Sequence, residues 1–174
     1  MTNKPVYYDI SVRDDVQFGV GVRIVRPANL YGCSLGDGVF VGPFTEIQSE
    51  VVIGARTTVQ SHAFICSLVT IGNDCFISHG AMFINDDFKV GHRAFGDKSL
   101  WRSTVVEDGV HIGTHATIMP VRICAGSVIG AGAVVTTDIV ERGIYAGNPA
   151  RLLRPLPPYE PPSAAASTNG ESAP

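Results

Sequence analysis

Aliphatic and aromatic residues recur at every sixth position through most of this chain, and that period excludes most folds. Leu35, Val41, Ile47, Ile53, Val59, Ile65, Ile71, Ile77 and Phe83 keep strict six-residue spacing. A second run holds Val106, Ile112 and Ile118, then Ile123, Ile129 and Val135. An amphipathic helix needs apolar spacings of three and four and a half-buried strand needs two, so neither element produces this pattern. Short strands separated by tight corners do.

The rest of the hexad supports that reading. The anchor is often followed by glycine (Gly36, Gly42, Gly54, Gly72, Gly113, Gly130), and the fifth position is small or β-branched (Val39, Thr45, Val51, Thr57, Ala63, Val69, Ala81, Ala116, Ser127, Ala133). These are residues suited to corners and to strands respectively. Three hexads close an 18-residue triangular coil in which each anchor stacks on the one a coil below, forming a solenoid. Phe83 to Val106 is 23 residues, not a multiple of six, so an external loop is expected over 86–104. One residue is missing between Ile118 and Ile123, around Pro120, which demands a tighter corner. Ile10, Val16 and Val22 keep the spacing at the N-terminal end, but the run RPANLYGC disturbs it, so the first coil is expected to be irregular. The pattern stops after Val135. The stretch 139–154 reads as a cap with a short helix near Ala150 to Arg154, and 155–174, rich in Pro, Ser and Ala, reads as a flexible tail.

Hydrophobic residues make up 45% of the chain and charged ones 17%, which suits a single domain, 1–154, that buries many strands. Thirteen Lys and Arg against sixteen Asp and Glu leave no basic excess, which argues against a nucleic-acid partner. No apolar leader or stretch of about 18 apolar residues occurs, so no membrane association and a cytoplasmic location are expected. Cys33, Cys66, Cys75 and Cys124 show no CxxC pairing and read as small buried or half-buried side chains.

The hexads resemble the hexapeptide-repeat family, whose solenoid is a left-handed parallel β-helix. Five segments narrow the resemblance: SHGAMFINDDF, GDKSLWRST, HATIMPVRIC, VIGAGAVVTTDI and IYAGNPARLLR. Over about residues 28–154 the chain looks like the nucleotide-linked amino-sugar N-acetyltransferases. It is most similar to those acting on dTDP-3-amino-3,6-dideoxyhexoses. The resemblance implies a homotrimer with active sites between subunits, acetyl-CoA as co-substrate, no metal, and direct attack of the sugar amine on the thioester. From the Phe-Ile-Asn-Asp motif it implies that Asn85 positions the amine and that Asp86 accepts its proton or holds the sugar.

His79, at the third position of its hexad, occupies a corner and faces outward. It reads either as the imidazole base or as a corner hydrogen-bonding group. Gly130 and Ala131 offer a low edge for a pantetheine arm, or simply meet corner geometry. In the segment containing Asn148, Pro149, Arg151 and Arg154, which the family places near the CoA nucleotide, the arginines read as phosphate partners or as solvated cap charges. Arg93, Trp101 and Arg102 suit a lid that meets a diphosphate, while Trp101 alone can pin the loop to the coil. His62, His111 and His115 invite comparison with zinc-binding γ-class carbonic anhydrases of this fold, but His111 and His115 stand four apart where that signature has five. A UDP-linked 3-amino-sugar N-acetyltransferase, a sugar O-acetyltransferase and a catalytically silent trimeric scaffold are the competing readings. A Pro-Arg pair found in some UDP-sugar relatives is missing from DDFKVGHR, which disfavours the first.

Overall fold

The computed structural model describes residues 9–161. It is a left-handed parallel β-helix of six three-stranded coils. The first holds β1 (Gln17–Phe18), β2 (Arg23–Ile24) and β3 (Asn29–Leu30), and the second β4 (Ser34–Leu35), β5 (Phe40–Val41) and β6 (Glu46–Ile47). The third holds β7 (Val52–Ile53), β8 (Thr58–Val59) and β9 (Phe64–Ile65); the fourth holds β10 (Val69–Ile71), β11 (Phe76–Ile77) and β12 (Met82–Phe83). The fifth comprises β13 (Thr104–Val106), β14 (His111–Ile112) and β15 (Thr117–Ile118), and the sixth β16 (Arg122–Ile123), β17 (Val128–Ile129) and β18 (Val134–Val135). A terminal hairpin, β19 (Gly143–Ala146) and β20 (Arg151–Pro155), closes the end.

Each coil gives one strand to each of three parallel sheets. The first sheet runs β1 to β16, the second β2 to β17 and then into the hairpin, and the third β3 to β18. The anchors stack in register, as in Val59, Ile77, Ile112 and Ile129, and all four are buried. The fifth hexad position also points inward, so Val39, Ala63, Ala81, Val110 and Ala116 fill the space between anchor columns. Small residues are needed there because a triangular section has no room for two large side chains per corner. Cys33, Cys66 and Cys75 belong to this core, and burial pushes their thiols up to about 11, 12 and 11, far from nucleophilic.

The glycine after the anchor is required by contact between coils. A Cβ on Gly54 would lie 2.5 Å from the backbone carbon of Gly72, at a separation fixed by the strand ladder. The left-handed backbone of each corner falls two residues later, where Phe44, Glu50, Arg56, His62, Leu68, Asp74 and His115 adopt it despite their side chains. Their cost, roughly 1 kcal/mol each, is borne by the stacking on either side.

The corner leading from the third sheet to the first, here the third vertex, takes up every irregularity. Leu30 to Leu35 and Ile118 to Ile123 are five-residue steps across it, and the chain between β12 and β13 leaves the coil there as a loop. That loop carries a short 3-10 helix, Lys98–Leu100, and ends before Thr104, which already belongs to β13.

Four expectations are corrected. In the first coil Phe18, Ile24 and Leu30 are the anchors, paired with Leu35, Val41 and Ile47; Val16 and Val22 occupy the second inward position instead, and Ile10 is exposed. The coil continues past Val135, because Ile139 bridges to Ile123 and β19 pairs in parallel with β17. Ala150 to Arg154 is not a helix: Arg151–Pro155 pairs antiparallel with β19, which satisfies the backbone of the last edge. Of the segment expected as a tail, residues 155–159 lie on the coil. The Leu156 amide bonds the Arg142 carbonyl, and the Arg142 guanidinium sits over the Tyr159 ring and bonds the carbonyls of Pro157 and Pro158. Residues 162–174 fall outside the described residues.

Candidate active site

The expected site residues collect at two vertices. At the third vertex Ile84 makes the last ladder bond of β12, to Ile118, and the loop begins. The Asn85 side-chain Nδ2 donates to the Ser67 carbonyl at 3.2 Å, and its backbone carbonyl accepts the Arg102 amide at 2.9 Å, tying the two ends of the loop. A carbonyl can only accept, so the Ser67 bond fixes the Asn85 amide with Oδ1 turned the other way. Asp86 caps the inner turn of the loop: one oxygen accepts the Phe88 amide at 3.1 Å and the other the Ala94 amide at 2.7 Å. Its role as proton acceptor therefore competes with two backbone donors.

Asn85, Asp86, Arg93, Ala94, Phe95, Gly96 and Trp101 line an open cleft of ≈ 430 Å³. The Arg93 guanidinium stacks 4.5 Å from the Phe95 ring centroid and has no carboxylate partner among the described residues. Arg102 is engaged elsewhere. It pairs with Asp87 at 2.9 Å, and that hydrogen bond holds the Asp87 carboxyl below its ordinary range. Lys98 reaches down to Glu50 at 2.8 Å, tying the loop to the coil, and lies 5.8 Å from the ring of Trp101, whose half-buried indole lines the cleft. Removing the turn's cap has a direct readout: Asp86→Ala is expected to speed tryptic cleavage after Arg93 about tenfold, by the loss of two backbone hydrogen bonds. Unchanged proteolysis rates would show the turn to be held by other contacts.

The second vertex, between the second and third sheets, carries His79. The ring is exposed, and its Nδ1 lies 2.8 Å from the Ser61 hydroxyl, leaving Nε2 outward. Ser61 stands 18 residues before His79, one full coil below; the coil period could have identified it, since it places any such pair side by side. The backbone amides of Ser61, His79, Thr114 and Ala131, stacked along this vertex, make no hydrogen bond among the described residues. They form an outward row of donors. Gly132, beside Ala131, has open space where a Cβ would stand, and Gly130 bonds the Tyr145 carbonyl. The hairpin turn holding Asn148 and Pro149 docks on the same corner through Val134 to Gly147 and Ala150 to Val134 bonds. Gly130, Ala131, Asn148 and Pro149 are thus brought together. Arg151 lines a neighbouring cavity of ≈ 340 Å³ with Thr137, Asp138 and Tyr145, whereas Arg154 lies farther along the exposed strand.

His62 stacks on Phe44 with centroids 4.9 Å apart, His115 packs over Gly80, and His111 lies on the outer face near Phe76. Among the described residues no group of three His, Cys, Asp or Glu could hold a metal ion, and no helix is long and apolar enough to cross a membrane.

Residues 32–67 match the bacterial transferase hexapeptide (six repeats), and residues 103–137 match the hexapeptide repeat of succinyl-transferase. A hexapeptide-repeat-containing acetyltransferase from Vibrio cholerae O1 biovar eltor, solved with acetyl coenzyme A, superimposes with a TM-score of 0.63 at 27% identity over 73% of this chain and 72% of that one. This chain is built from the repeat of the hexapeptide-repeat transferases. It is 32% identical over 142 residues to the bifunctional protein GlmU of Nitrosomonas europaea, covering 78% of this chain and 28% of that protein. The chain spans about a quarter of the length of the curated relatives it matches. A mutant of AntD, an N-acyltransferase from Bacillus cereus solved with dTDP and coenzyme A, shares the hexapeptide-repeat fold with a TM-score of 0.68 at 20% identity over 79% of this chain and 84% of that one.

Within one protomer His79 and Asn85 belong to different vertices, one on either side of β12, and the hydrogen bonds of their side chains go to Ser61 and to Ser67 rather than to each other.

Proposed function

We propose that this chain is an acetyl-CoA-dependent N-acetyltransferase that acetylates the 3-amino group of a dTDP-3-amino-3,6-dideoxyhexose, working in the cytoplasm as a homotrimer with its sites between subunits. The observation that carries the reading is the fixed Asn85 amide. With Nδ2 committed to Ser67, Oδ1 is a neutral acceptor at the edge of the cleft, suited to take an N–H from an uncharged amine and to aim its lone pair. Arg93 and Trp101 offer a cation and an aromatic surface for the nucleotide diphosphate at the same cleft. The AntD structure holds dTDP and coenzyme A, and the Vibrio protein acetyl coenzyme A, which supports both substrate classes.

Acetyl-CoA supplies the activated acyl group. The free amide row of the second vertex and the low edge at Ala131 and Gly132 fit an extended pantetheine arm, which carries its own amides, and Arg151 suits the phosphates. Asn85 orients the amine while its nitrogen attacks the thioester carbon. As the C–N bond forms and the C–S bond breaks, His79 of the partner subunit takes the amine proton on Nε2 and returns it to the departing sulfur. Ser61 holds the imidazole through Nδ1.

In a three-fold ring each contact joins two different surfaces of the protomer, and the proposed arrangement sets the His79 vertex of one copy against the Asn85 vertex of the next. The face between them exposes Met82 by 41%, and Phe44, exposed by 59%, stands at the second vertex two coils below, apolar area that such a contact would cover. Thiol release from acetyl-CoA with dTDP-3-amino-3,6-dideoxyhexose as acceptor tests the proposal. Turnover is expected with this acceptor; turnover only with hydroxyl acceptors, or only with UDP-linked amines, would replace it.

A further inference from the structure

The Asn85 amide is the top of a longer hydrogen-bonded ladder that climbs the third vertex through three successive coils. In the coil of β9, Ser67 presents its carbonyl to Asn85 Nδ2 at 3.2 Å, and its own amide donates to Gln48 Oε1 at 3.2 Å. In the coil of β6, Gln48 Nε2 donates to Glu46 Oε1 at 3.0 Å, and the Tyr31 hydroxyl approaches the same oxygen at 3.4 Å. Ser67 is buried, and its hydroxyl lies 3.4 Å from that of Ser49. The loop adds its own weight to the same corner, since Thr104 bonds the Leu68 carbonyl next to Ser67.

Each link in this ladder has only one workable polarity. A carboxylate accepts, so Gln48 must turn its NH2 toward Glu46 and its oxygen toward the Ser67 amide. A backbone carbonyl accepts, so Asn85 must turn its NH2 toward Ser67 and its oxygen outward. Ser67 is fixed at both ends, by the Gln48 oxygen below and the Asn85 amide above. At the first vertex the corner amides of Ala55 and Asn73 are served by short side chains of the coil above, Asn73 and Asp108, and that of Ala125 by Glu107 of the coil below. At the third vertex a side chain from the coil below, Gln48, holds the residue on which the amine-orienting group rests.

We propose that Gln48, with Glu46 beneath it, is a positioning residue for the acyl-transfer reaction: it holds Ser67 so that Asn85 presents Oδ1 to the acceptor amine. It touches no substrate, and acts by keeping the peptide at Ser67 from tilting away from Asn85. A shift of well under 1 Å there moves Oδ1 relative to the attacking nitrogen, an effect that falls on the chemical step. The inference rests on the reading of Asn85 as the amine-orienting group.

Steady-state kinetics of the full chain tests it, with four variants measured side by side. Gln48→Met, which keeps the volume and removes the acceptor, is expected to lower kcat about ten- to hundredfold and to leave the KM for acetyl-CoA within about twofold. The exchange Glu46→Gln with Gln48→Glu rebuilds both bonds with the charge moved one link up, since the new Gln donates to the new carboxylate, which still accepts the Ser67 amide. It is expected to recover kcat to within about threefold of the original, while Gln48→Glu alone, with two carboxylates facing each other, is not. Asn85→Ala sets the scale. If Asn85→Ala is impaired and Gln48→Met is not, or if the Gln48→Met loss appears equally in the acetyl-CoA KM and the exchange fails to rescue it, the positioning role is wrong and the proposed activity stands. If Asn85→Ala turns over as the unaltered chain does, the reading of Asn85 falls and the role of Gln48 falls with it.

Discussion

His79→Asn is expected to lower kcat at least about a hundredfold with little change in the KM of either substrate, the signature of a lost proton acceptor rather than a lost binding contact. Asn keeps the size and one hydrogen bond to Ser61 but cannot take a proton at neutral pH, so the loss reports the imidazole itself. The stronger consequence concerns assembly. If each site pairs His79 of the partner subunit with Asn85 of its own, two inactive variants repair one another. When equal amounts of His79→Asn and Asn85→Ala subunits are unfolded and refolded together, about one site in four joins an intact His79 to an intact Asn85, giving about a quarter of the original activity. The same mixture left unexchanged gives none. A refolded mixture no more active than its components would overturn the pairing across subunits, and a kcat loss under tenfold for His79→Asn alone would remove His79 from the reaction and leave the departing thiolate to collect the proton.

The second large effect is on stability. Ile77 is fully buried between Val59 and Ile112 in the anchor column of the second sheet, at the middle of the six coils. Ile77→Ala is expected to destabilise the protein by about 2–5 kcal/mol, because the cavity cannot close while hydrogen-bonded strands hold the coils apart. Denaturant midpoints of the two proteins check this. The matching change on the outer face, Phe76→Ala, removes a side chain 37% exposed and is expected to cost less than half as much. Equal losses would mean that the outer face contributes as much packing as the column.

The period of six carried the interior almost completely. From Leu35 to Phe83 and from Val106 to Val135 each expected anchor is inward, because a side chain's direction in a short strand follows from its place in the hexad and needs no distant information. The loop, too, was legible as an interruption of the period. The pattern misled at the two ends. In the first coil the correct anchors are spaced by six among themselves, and the five-residue step after Leu30 transfers them out of phase with the rest, so Val16 and Val22 appear to continue a register that they do not share. Past Val135 hydrophobic anchors give way to a backbone-driven hairpin, whose strands follow from the open edge of the last coil rather than from any local preference of Arg151 to Pro155.

For the site, the residue types were visible and their relations were not. Asn85, Asp86, Arg93 and Trp101 could be named from the sequence, yet the commitment of Arg102 to Asp87, of Lys98 to Glu50 and of Asp86 to two loop amides depends on how the excursion folds back on the coil. Ser61 and Gln48 show no motif at all. They matter because stacking sets residues about one coil apart against each other, and the side-chain bonds that result run perpendicular to the chain. The sequence by itself determined which residues face inward and where the solenoid is interrupted, since both are written in a repeat shorter than a coil. Only the tertiary structure decided which vertex each polar side chain occupies and which acceptor fixes it, because the final geometry of a corner is set by the coils above and below it.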